Sequence, residues 1–320
     1  MTRAIITAFH KYQPYGEEYY QPIFDFFVSQ MSKFKDEYDK IYFIDSTWNF
    51  TDDDYEKMKT VKGKLIKVNP SLRYYDAYKE ILPQVDEELI LFMDNDMVIY
   101  KEGIISDTFD FVESYSKYDV ASIIDEIGEY KTDKLKQGNK FCPYWLAAYK
   151  SLLMKYLDVN WAPDMPYCET LGHLTEAMLN DGVRVFELED DKSNILFDGS
   201  STEGWNNFGK DLGYYHIRAG STPAVLLAYR KHDPDKYWEY LKNQPKSEYL
   251  RQFAWYWWMA HSLSRQRLGK DKFASDDYQL LQGEFDILRE ITDVMTKDLG
   301  LGYEEFREYF RKMQEYHGLS

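Results

Sequence analysis

Cysteine is nearly absent from this sequence. Its two cysteines, Cys142 and Cys168, belong to no Cys-x-x-Cys pair and no Cys/His cluster. Structural zinc sites are built from such clusters, so the sequence disfavours zinc. Free thiols are typical of a reducing compartment, and we expect a cytoplasmic protein. No apolar run approaches the ~18 residues of a membrane span, and the apolar stretch before His10 is too short for a signal peptide.

Positive charge is also scarce, because 39 Lys and Arg residues face 55 Asp and Glu residues, for a net charge of −16. Nucleic-acid-binding proteins neutralise phosphates with clustered Lys and Arg, so this composition argues against a nucleic-acid partner. It argues equally against electrostatic docking on anionic lipid. An anionic substrate would therefore need a local cation, either a metal ion or a few placed basic side chains.

Two common nucleotide-binding fingerprints are missing. No GxGxxG follows the first predicted strand, and no GxxxxGK[ST] occurs anywhere. A classical dinucleotide-binding fold and a P-loop NTPase are therefore disfavoured.

Aromatic residues are abundant in this sequence, at 18% with 29 tyrosines. Such side chains combine a flat apolar ring with a polar group, which suits sites that stack sugars or bases.

Apolar strands alternate with amphipathic helices through the first two thirds of the chain. Strands are predicted at 3–8, 40–45, 64–69, 88–96, 119–125, 182–190 and 213–221, and helices at 71–82, at 144–157, from Pro22 and from Thr170. The first helix carries an i, i+3, i+4, i+7 spacing at Ile23, Phe26, Phe27, Gln30, Met31 and Phe34. This alternation is typical of an α/β domain with a mostly parallel, Rossmann-like sheet flanked by helices.

The pattern becomes helical after Thr222, with helices predicted at 247–269, 275–300 and 303–316. We therefore expect an α/β domain at 1–222 and a helical C-terminal domain at 223–320. Residues 255–258, Trp-Tyr-Trp-Trp, cannot all lie on one amphipathic face. Either the helix is sandwiched and its rings are buried, or it exposes an apolar patch for a homo-oligomer or for peripheral membrane contact.

The segment ELILFMDNDMVIY at 88–100 places two carboxylates one residue apart inside an apolar run. If the strand continues through them, Asp94 and Asp96 share one face and Asn95 the other. Two buried like charges need a partner, and Mg²⁺ or Mn²⁺ is the simplest one because hard cations prefer carboxylate oxygens. The alternative is that the strand has already ended and both aspartates lie in a solvated turn.

With these residues in view, the region 1–222 resembles the GT-A glycosyltransferases, which use nucleotide sugars and a metal-binding Asp-x-Asp (DXD) motif. The resemblance rests on four stretches in order: TAFHKY after the first strand, FIDS after the second, FMDND in mid-domain and YYHIRAG about 120 residues later. It implies a GT-A-like fold with a helical C-terminal extension. It also implies a hexosyltransferase-like enzyme with Mn²⁺ or Mg²⁺ as cofactor, a nucleotide-sugar donor (UDP-sugar favoured) and a glycan or other hydroxyl acceptor.

The resemblance also implies roles for individual residues. Asp96 and Asp94 would hold the metal, with Asp94 also meeting the donor, and His216 would complete the metal's ligands. Glu169 would be the general base, with Asp164 as the second candidate, although this chain has Glu-Thr where the family more often has Glu-Asp. The donor-binding set would comprise His10, Tyr12, Asp45, Arg73, Asp76 and Arg218, with Asp45 on the base edge. Trp145, Trp161 and Tyr167 would either stack on an acceptor sugar or pack in the core.

Two competing interpretations remain. Asp94-Asn95-Asp96-Met97-Val98 also fits the first motif of haloacid-dehalogenase-type phosphatases, in which Asp94 would be the nucleophile and Asp96 the acid/base. The acidic stretch at 187–191 would then supply the metal ligands. The second alternative is a non-catalytic scaffold with a degenerate site, which would show no metal-dependent donor binding.

Overall fold

The structure of this protein is a computed structural model. It describes residues 1–9, 17–45, 50–69, 72, 74–99, 102–114, 119–124, 143–162, 171–188, 207–209, 214–216, 222–242, 246–267, 289–302, 304–305, 308 and 311.

Seven strands form the main sheet, in the order β3-β2-β1-β4-β7-β6-β8. The strands of this sheet are β1 Arg3–Phe9, β2 Lys40–Asp45, β3 Gly63–Lys67, β4 Leu89–Met93, β6 Val120–Ile124, β7 Pro143–Tyr149 and β8 Val185–Leu188. All of them run in one direction except β7, which is antiparallel to both β4 and β6. The predicted α/β architecture with a mostly parallel sheet is confirmed.

A second, smaller sheet has the order β5-β10-β9 and is antiparallel throughout. Its strands are β5 Met97–Ile99, β9 Asn207–Gly209 and β10 Tyr214–His216. The chain therefore leaves the main sheet at Met93 and enters the small sheet at Met97, with the two aspartates in between.

Nine helices occur in the described part of the chain. They are α1 Glu17–Lys33, α2 Asp52–Thr60, α3 Tyr74–Ile81, α4 Ile104–Ser114, α5 Lys150–Leu153, α6 Gly172–Asn180, α7 Thr222–His232, α8 Pro234–Leu241 and α9 Lys246–Arg267. Short 3₁₀ turns follow α3 and α5, and a π-helical turn spans Val294–Asp298. No described helix is long and apolar enough to cross a membrane.

The two faces of the main sheet bury different side chains. Even-numbered residues such as Ile6, Ile44 and Phe92 join a core with Tyr78 of α3 and Leu174 of α6. In every strand but β8, whose numbering is shifted by one, the odd-numbered residues lie on the opposite face; there α2 contacts β3, and α4 contacts β6 and β7. Both faces are covered, and this is why the strands read as continuous apolar runs rather than as alternating ones.

At Gly63, strand β3 packs tightly against the end of α2. A Cβ at this position would lie 2.6 Å from the ring of Phe43 and 2.7 Å from the carbonyl oxygen of Met58. Gly63→Ala should therefore lower the free energy of unfolding by about 1–3 kcal/mol, because backbone and a buried ring must both shift. Gly302→Ala is the matched control, since its nearest neighbour would be an ordinary 3.8 Å contact. Urea unfolding of both variants checks this, and equal midpoints would contradict it.

Two predicted elements need correction. The helix predicted at 144–157 is strand β7, followed by the short α5. A strand buried on both faces has no period-two pattern, so PYWLAAY resembles a buried helix segment. The helix predicted to start at Pro22 begins at Glu17, with Pro22 inside it. Burial of Tyr19 and Tyr20 stabilises this extra turn despite the hydrogen bond that proline removes.

The chain forms two compact units. The first contains all ten strands, α2 to α6 and the end of α1 from Gln30 onward. The second contains residues 17–29 of α1 and the described residues from 222 onward. The predicted domain boundary at residue 222 stays a prediction.

In the second unit, the aromatic residues of α9 are buried. Trp255 and Tyr256 are 0% exposed, and Trp257 and Trp258 are 3% and 8% exposed. The Trp258 ring packs at 5.2 Å from Phe26 of α1, and the Tyr256 hydroxyl donates to the Tyr19 carbonyl. Burial was therefore the right alternative for this segment. Among the described residues of the unit, Trp238 and Tyr240 of α8 are the large aromatic side chains that are exposed.

A hydrogen-bonded cluster joins α7, α8 and the π-helical turn of the same unit. The Asp298 carboxylate accepts from the Arg230 guanidinium and from the Tyr237 hydroxyl, each at 2.7 Å. Burial and this hydrogen bond raise the pKa of Tyr237, so the phenol stays neutral and keeps donating.

Met295, from the predicted helix at 275–300, is buried in the π-helical turn next to Val294. Three other apolar residues of that predicted helix, Leu281, Phe285 and Leu288, lie outside the described residues.

Candidate active site

The segment Asp94-Asn95-Asp96 connects the two sheets. Strand β4 ends at Met93, and Asn95 and Asp96 form a turn before β5. The strand does not continue through the aspartates, so the prediction of a shared strand face was wrong. The turn is not solvated either: Asp96 is only 9% exposed, and Asp94 and Asn95 are partly buried. Two partly buried aspartates, one residue apart in the sequence, thus follow the carboxyl end of a central strand.

Asn95 fixes this turn to the neighbouring strand. Its side-chain Nδ2 donates to the carbonyl oxygen of Ala8, at 2.7 Å. Ala8 is the penultimate residue of β1, which lies beside β4 in the sheet. The middle residue of the motif therefore has a structural task, and the flanking aspartates project from an anchored backbone.

The small sheet brings His216 next to the same turn. In the antiparallel pairing of β10 with β5, His216 lies opposite Met97, the residue that follows Asp96. Residues opposite one another in such a pair have Cα atoms about 4.5–5.5 Å apart. The fold thus joins two motifs that are 120 residues apart in the sequence. Metal ligation by His216 stays a prediction, because the structure describes the backbone of β10 only.

Asp45 ends strand β2 and is completely buried. In the parallel sheet its register partners are Phe9 of β1 and Lys67 of β3, so the three side chains share a face. The Phe9 ring packs against Phe43 at 5.9 Å and against Phe50 at 6.3 Å. A carboxylate at a carboxyl edge, flanked by aromatic rings, is a setting that suits a nucleotide base.

Lys67 lies beside Asp45 in the sheet, and the sequence patterns did not single it out. Its ammonium group lies 5.8 Å from the centre of the Tyr55 ring. Interaction with the Tyr55 side chain and, to a smaller extent, the charge of Asp45 raise the pKa of Lys67. A basic residue at the end of β3, three strands from β4 in the sheet, was the available signal.

The carboxylates fit a divalent metal that is completed by its substrate. Within the described residues, no group of three or more His, Cys, Asp or Glu side chains is arranged to hold a metal ion. Mg²⁺-type sites commonly use only one or two protein carboxylates, and substrate phosphates and waters supply the other ligands. Asp94 and Asp96 match this donor set of two carboxylates. A cage formed by protein ligands alone is not seen among the described residues.

The other predicted site residues divide into two groups. Asp76 lies in the first turn of α3, partly buried, and no hydrogen bond or ion pair described in the structure joins it to Asp45, Asp94 or Asp96. The remaining predicted residues lie outside the described part of the chain: His10, Tyr12, Arg73, Asp164, Tyr167, Glu169 and Arg218.

Trp145 and Trp161 belong to the core, so the alternative that they stack on an acceptor sugar was wrong. Both are 0% exposed. The indole of Trp145 donates to Thr108 Oγ1 at 3.2 Å, and that of Trp161 donates to the Tyr156 carbonyl at 3.0 Å. Each ring therefore has its polar atom satisfied inside the protein and presents no face to a ligand.

The helix predicted to open at Thr170 begins instead at Gly172. The residue before it, Leu171, has φ +63° and is 1% exposed. A buried leucine in the left-handed region is unusual and is tolerated only where the surroundings fix it. Its amide donates to the Trp161 carbonyl, and its own carbonyl accepts from Thr175. This strained junction lies two residues after Glu169.

The phosphatase interpretation requires acidic residues of the 187–191 stretch beside Asp94. Glu187 lies on β8, and the strand order places β8 three strands from β4. At about 4.8 Å per strand, this is roughly 14 Å across the sheet. Strand β8 therefore does not bring Glu187 to the position that the phosphatase motif needs.

Comparison with known proteins gives distant structural matches only. The sequence matches no protein-family model and no curated protein. Among solved structures, CMP:2-keto-3-deoxy-manno-octonic acid synthetase complexed with CTP matches at 10% identity and TM-score 0.38, over 59% of this chain and 90% of that one.

Two further structural matches have similar scores. Glucosyl-3-phosphoglycerate synthase from Mycobacterium tuberculosis, in complex with Mn²⁺, UDP and glucosyl-3-phosphoglycerate, matches at 13% identity and TM-score 0.42, over 58% of this chain and 70% of that one. A putative nucleotide-diphospho-sugar transferase from Desulfovibrio desulfuricans G20 matches at 14% identity and TM-score 0.40, covering 59% and 80%. Matches this distant assign neither a substrate nor a reaction to the chain.

Proposed function

We propose that this chain is a metal-dependent glycosyltransferase that moves a sugar from a nucleoside diphosphate sugar, preferably a UDP-sugar, to a hydroxyl acceptor. The observation that carries the proposal is the anchored turn of Asp94 and Asp96 at the carboxyl end of β4, with Asp45 at the carboxyl end of β2. In open α/β sheets, ligands bind beyond these strand ends.

The donor diphosphate would bind at the turn. Asp94 and Asp96 would hold Mn²⁺ or Mg²⁺, with His216 as a further ligand, and Asn95 would keep the backbone of the turn in place. When bound, the metal would stabilise the negative charge that develops on the departing nucleoside diphosphate. His10, Tyr12, Arg73, Asp76 and Arg218 are proposed to contact the donor, as the GT-A resemblance implies.

The base would bind between Asp45 and Lys67, and because Asp45 is 0% exposed, its carboxylate would have to become accessible on binding. A carboxylate accepts a hydrogen bond from a ring N–H, and a neighbouring ammonium donates to the adjacent carbonyl. Uracil and guanine both offer this N–H beside C=O, whereas adenine and cytosine have an unprotonated ring nitrogen at that position. The pair therefore favours UDP or GDP over ADP and CDP, and the resemblance favours UDP of the two.

The acceptor hydroxyl needs a base in an inverting reaction. Glu169 is proposed to take that proton and Asp164 is the second candidate, each as a carboxylate that precedes α6 in the sequence. The strained Leu171 would fix the end of the segment that carries both. A retaining reaction would need neither residue in this role.

Calorimetric titration of UDP, GDP, ADP and CDP, with Mn²⁺ and with EDTA, tests the proposal. We expect UDP to bind only with Mn²⁺, and to bind more tightly than ADP or CDP. Incubation with UDP-sugars should then release UDP, whereas a nucleotidyltransferase would release pyrophosphate from a nucleoside triphosphate. Absence of metal-dependent binding of any nucleotide would overturn the proposal and favour a scaffold.

Lys67→Met should weaken UDP binding about tenfold, because a charged hydrogen bond to the base is lost at an exposed position. It should also reduce the preference for UDP over CDP. Lys64→Met is the matched control: it lies on the same strand but on the other face, with its ammonium 5.5 Å from the Tyr42 ring centre. The same titrations measure both variants, and equal losses would contradict a role for Lys67 in base recognition.

A further inference from the structure

Gln30 is a polar residue on the buried face of α1. It stands in the apolar spacing of that helix, between Phe27 and Met31, which are both 0% exposed, and it is itself only 4% exposed. A buried amide needs hydrogen-bond partners on both of its polar atoms. Both hydrogen-bond partners of Gln30 lie on one three-residue strand.

The partners of Gln30 are backbone groups of β5. Its Nε2 donates to the carbonyl oxygen of Met97 at 3.0 Å, and its Oε1 accepts from the amide of Ile99 at 2.7 Å. In a parallel sheet, each residue forms a similar pair of hydrogen bonds with the next strand. Its N–H donates to the residue before its register partner, and its C=O accepts from the residue after it. The side-chain amide thus takes the place of a neighbouring strand along β5.

The other edge of β5 is paired with β10, in the register that sets His216 opposite Met97. Backbone groups of Met97 and Ile99 point towards Gln30, so those of Val98 face β10, because successive residues of a strand alternate. Strand β5 begins directly after Asp96. Its position therefore decides where Asp96, and across the ladder His216, are held.

We propose that Gln30 is a positioning residue for the metal site: its amide fixes β5 and so sets the geometry of the Asp94–Asp96 turn. The inference rests on the proposed function, because it assumes that this turn binds a divalent cation. It assigns no contact between Gln30 and the metal or substrate. Partners that orient metal ligands in this way typically change metal affinity by about 10- to 100-fold when removed.

Gln30→Met tests this, because methionine has nearly the same length and volume but cannot form either hydrogen bond. We expect Mn²⁺ affinity, measured by calorimetry of the full chain in the presence of UDP, to fall by about 10- to 100-fold. Hydrogen exchange without metal should quicken at the Ile99 amide and change less at the Val98 amide. Wild-type protein is measured in parallel under the same conditions.

Tyr38→Phe is the matched control for lost stability. The Tyr38 hydroxyl donates to the Met31 carbonyl at 3.0 Å and is buried, so this variant also loses a buried hydrogen bond at the end of α1. It should lower the melting temperature and leave Mn²⁺ affinity unchanged. If Gln30→Met loses stability but binds Mn²⁺ as wild type does, Gln30 is structural only and the inference is overturned. If wild type itself binds no Mn²⁺, the proposed function fails and takes the inference with it.

Discussion

Asp94→Asn/Asp96→Asn should abolish Mn²⁺-dependent binding of UDP. Asparagine keeps the shape of each side chain but removes the negative charge and one of the oxygens that hard cations prefer. The folded structure should remain, because the Asn95 hydrogen bond to Ala8 does not involve the substituted atoms. Calorimetric titration of UDP, with Mn²⁺ and with EDTA, measures the effect, and we expect the two titrations of the variant to be identical.

The melting temperature of the same variant separates lost binding from lost folding. Asparagine matches aspartate in size and shape, so we expect the variant to fold with a melting temperature close to that of wild type. Asp86→Asn serves as the charge control, because Asp86 is exposed and lies outside the turn. A lower melting temperature together with retained UDP binding would contradict the assignment of this turn as the metal site.

Trp255→Ala should be among the most destabilising single substitutions in the helical unit. The side chain is 0% exposed and packs edge-on against Trp258 at 5.3 Å. Removing a buried indole from a packed core costs about 3–5 kcal/mol, since the cavity only partly collapses. Guanidinium unfolding followed by tryptophan fluorescence and by circular dichroism measures the loss, and the use of two probes shows whether the units unfold together.

Trp238→Ala is the matched control for that experiment. It removes the same side chain from α8, where 48% of it is exposed. Surface substitutions of this kind usually change stability by no more than about 0.5 kcal/mol. If the two variants were equally stable, the tryptophans of α9 would not form a core.

Much of the fold could be predicted because its signals are local. The strands β1, β2 and β4 are short apolar runs bounded by polar residues, and α1 shows a clear helical period. The position of Asp45 and of the Asp94–Asp96 pair at strand ends followed directly from those runs. In a parallel sheet, residues at carboxyl ends meet at one edge, so the site was predictable in outline before any contact was known.

The rest depends on contacts that no local pattern encodes. Strand β7 resembles a helix because both of its faces are buried, and only its pairing with β4 and β6 shows otherwise. The departure of β5 into a second sheet is decided by β10, more than 100 residues further along the chain. Gln30 looked like an irregularity in an apolar stripe, and its role appears only when β5 lies beside it. Lys67 becomes a candidate only because the strand register places it beside Asp45.

The reversed direction of β7 has a consequence for how this protein can diversify. Because β7 runs against its neighbours, the chain leaves the sheet at Ile124 and returns at Pro143 on the same edge, next to the end of β4. Insertions and replacements between these two points therefore start and finish at the edge of the sheet that carries the Asp94–Asp96 turn, and they leave the described strand pairings intact. If the proposed function holds, exchange of that segment is a way to vary substrate preference without rebuilding the sheet.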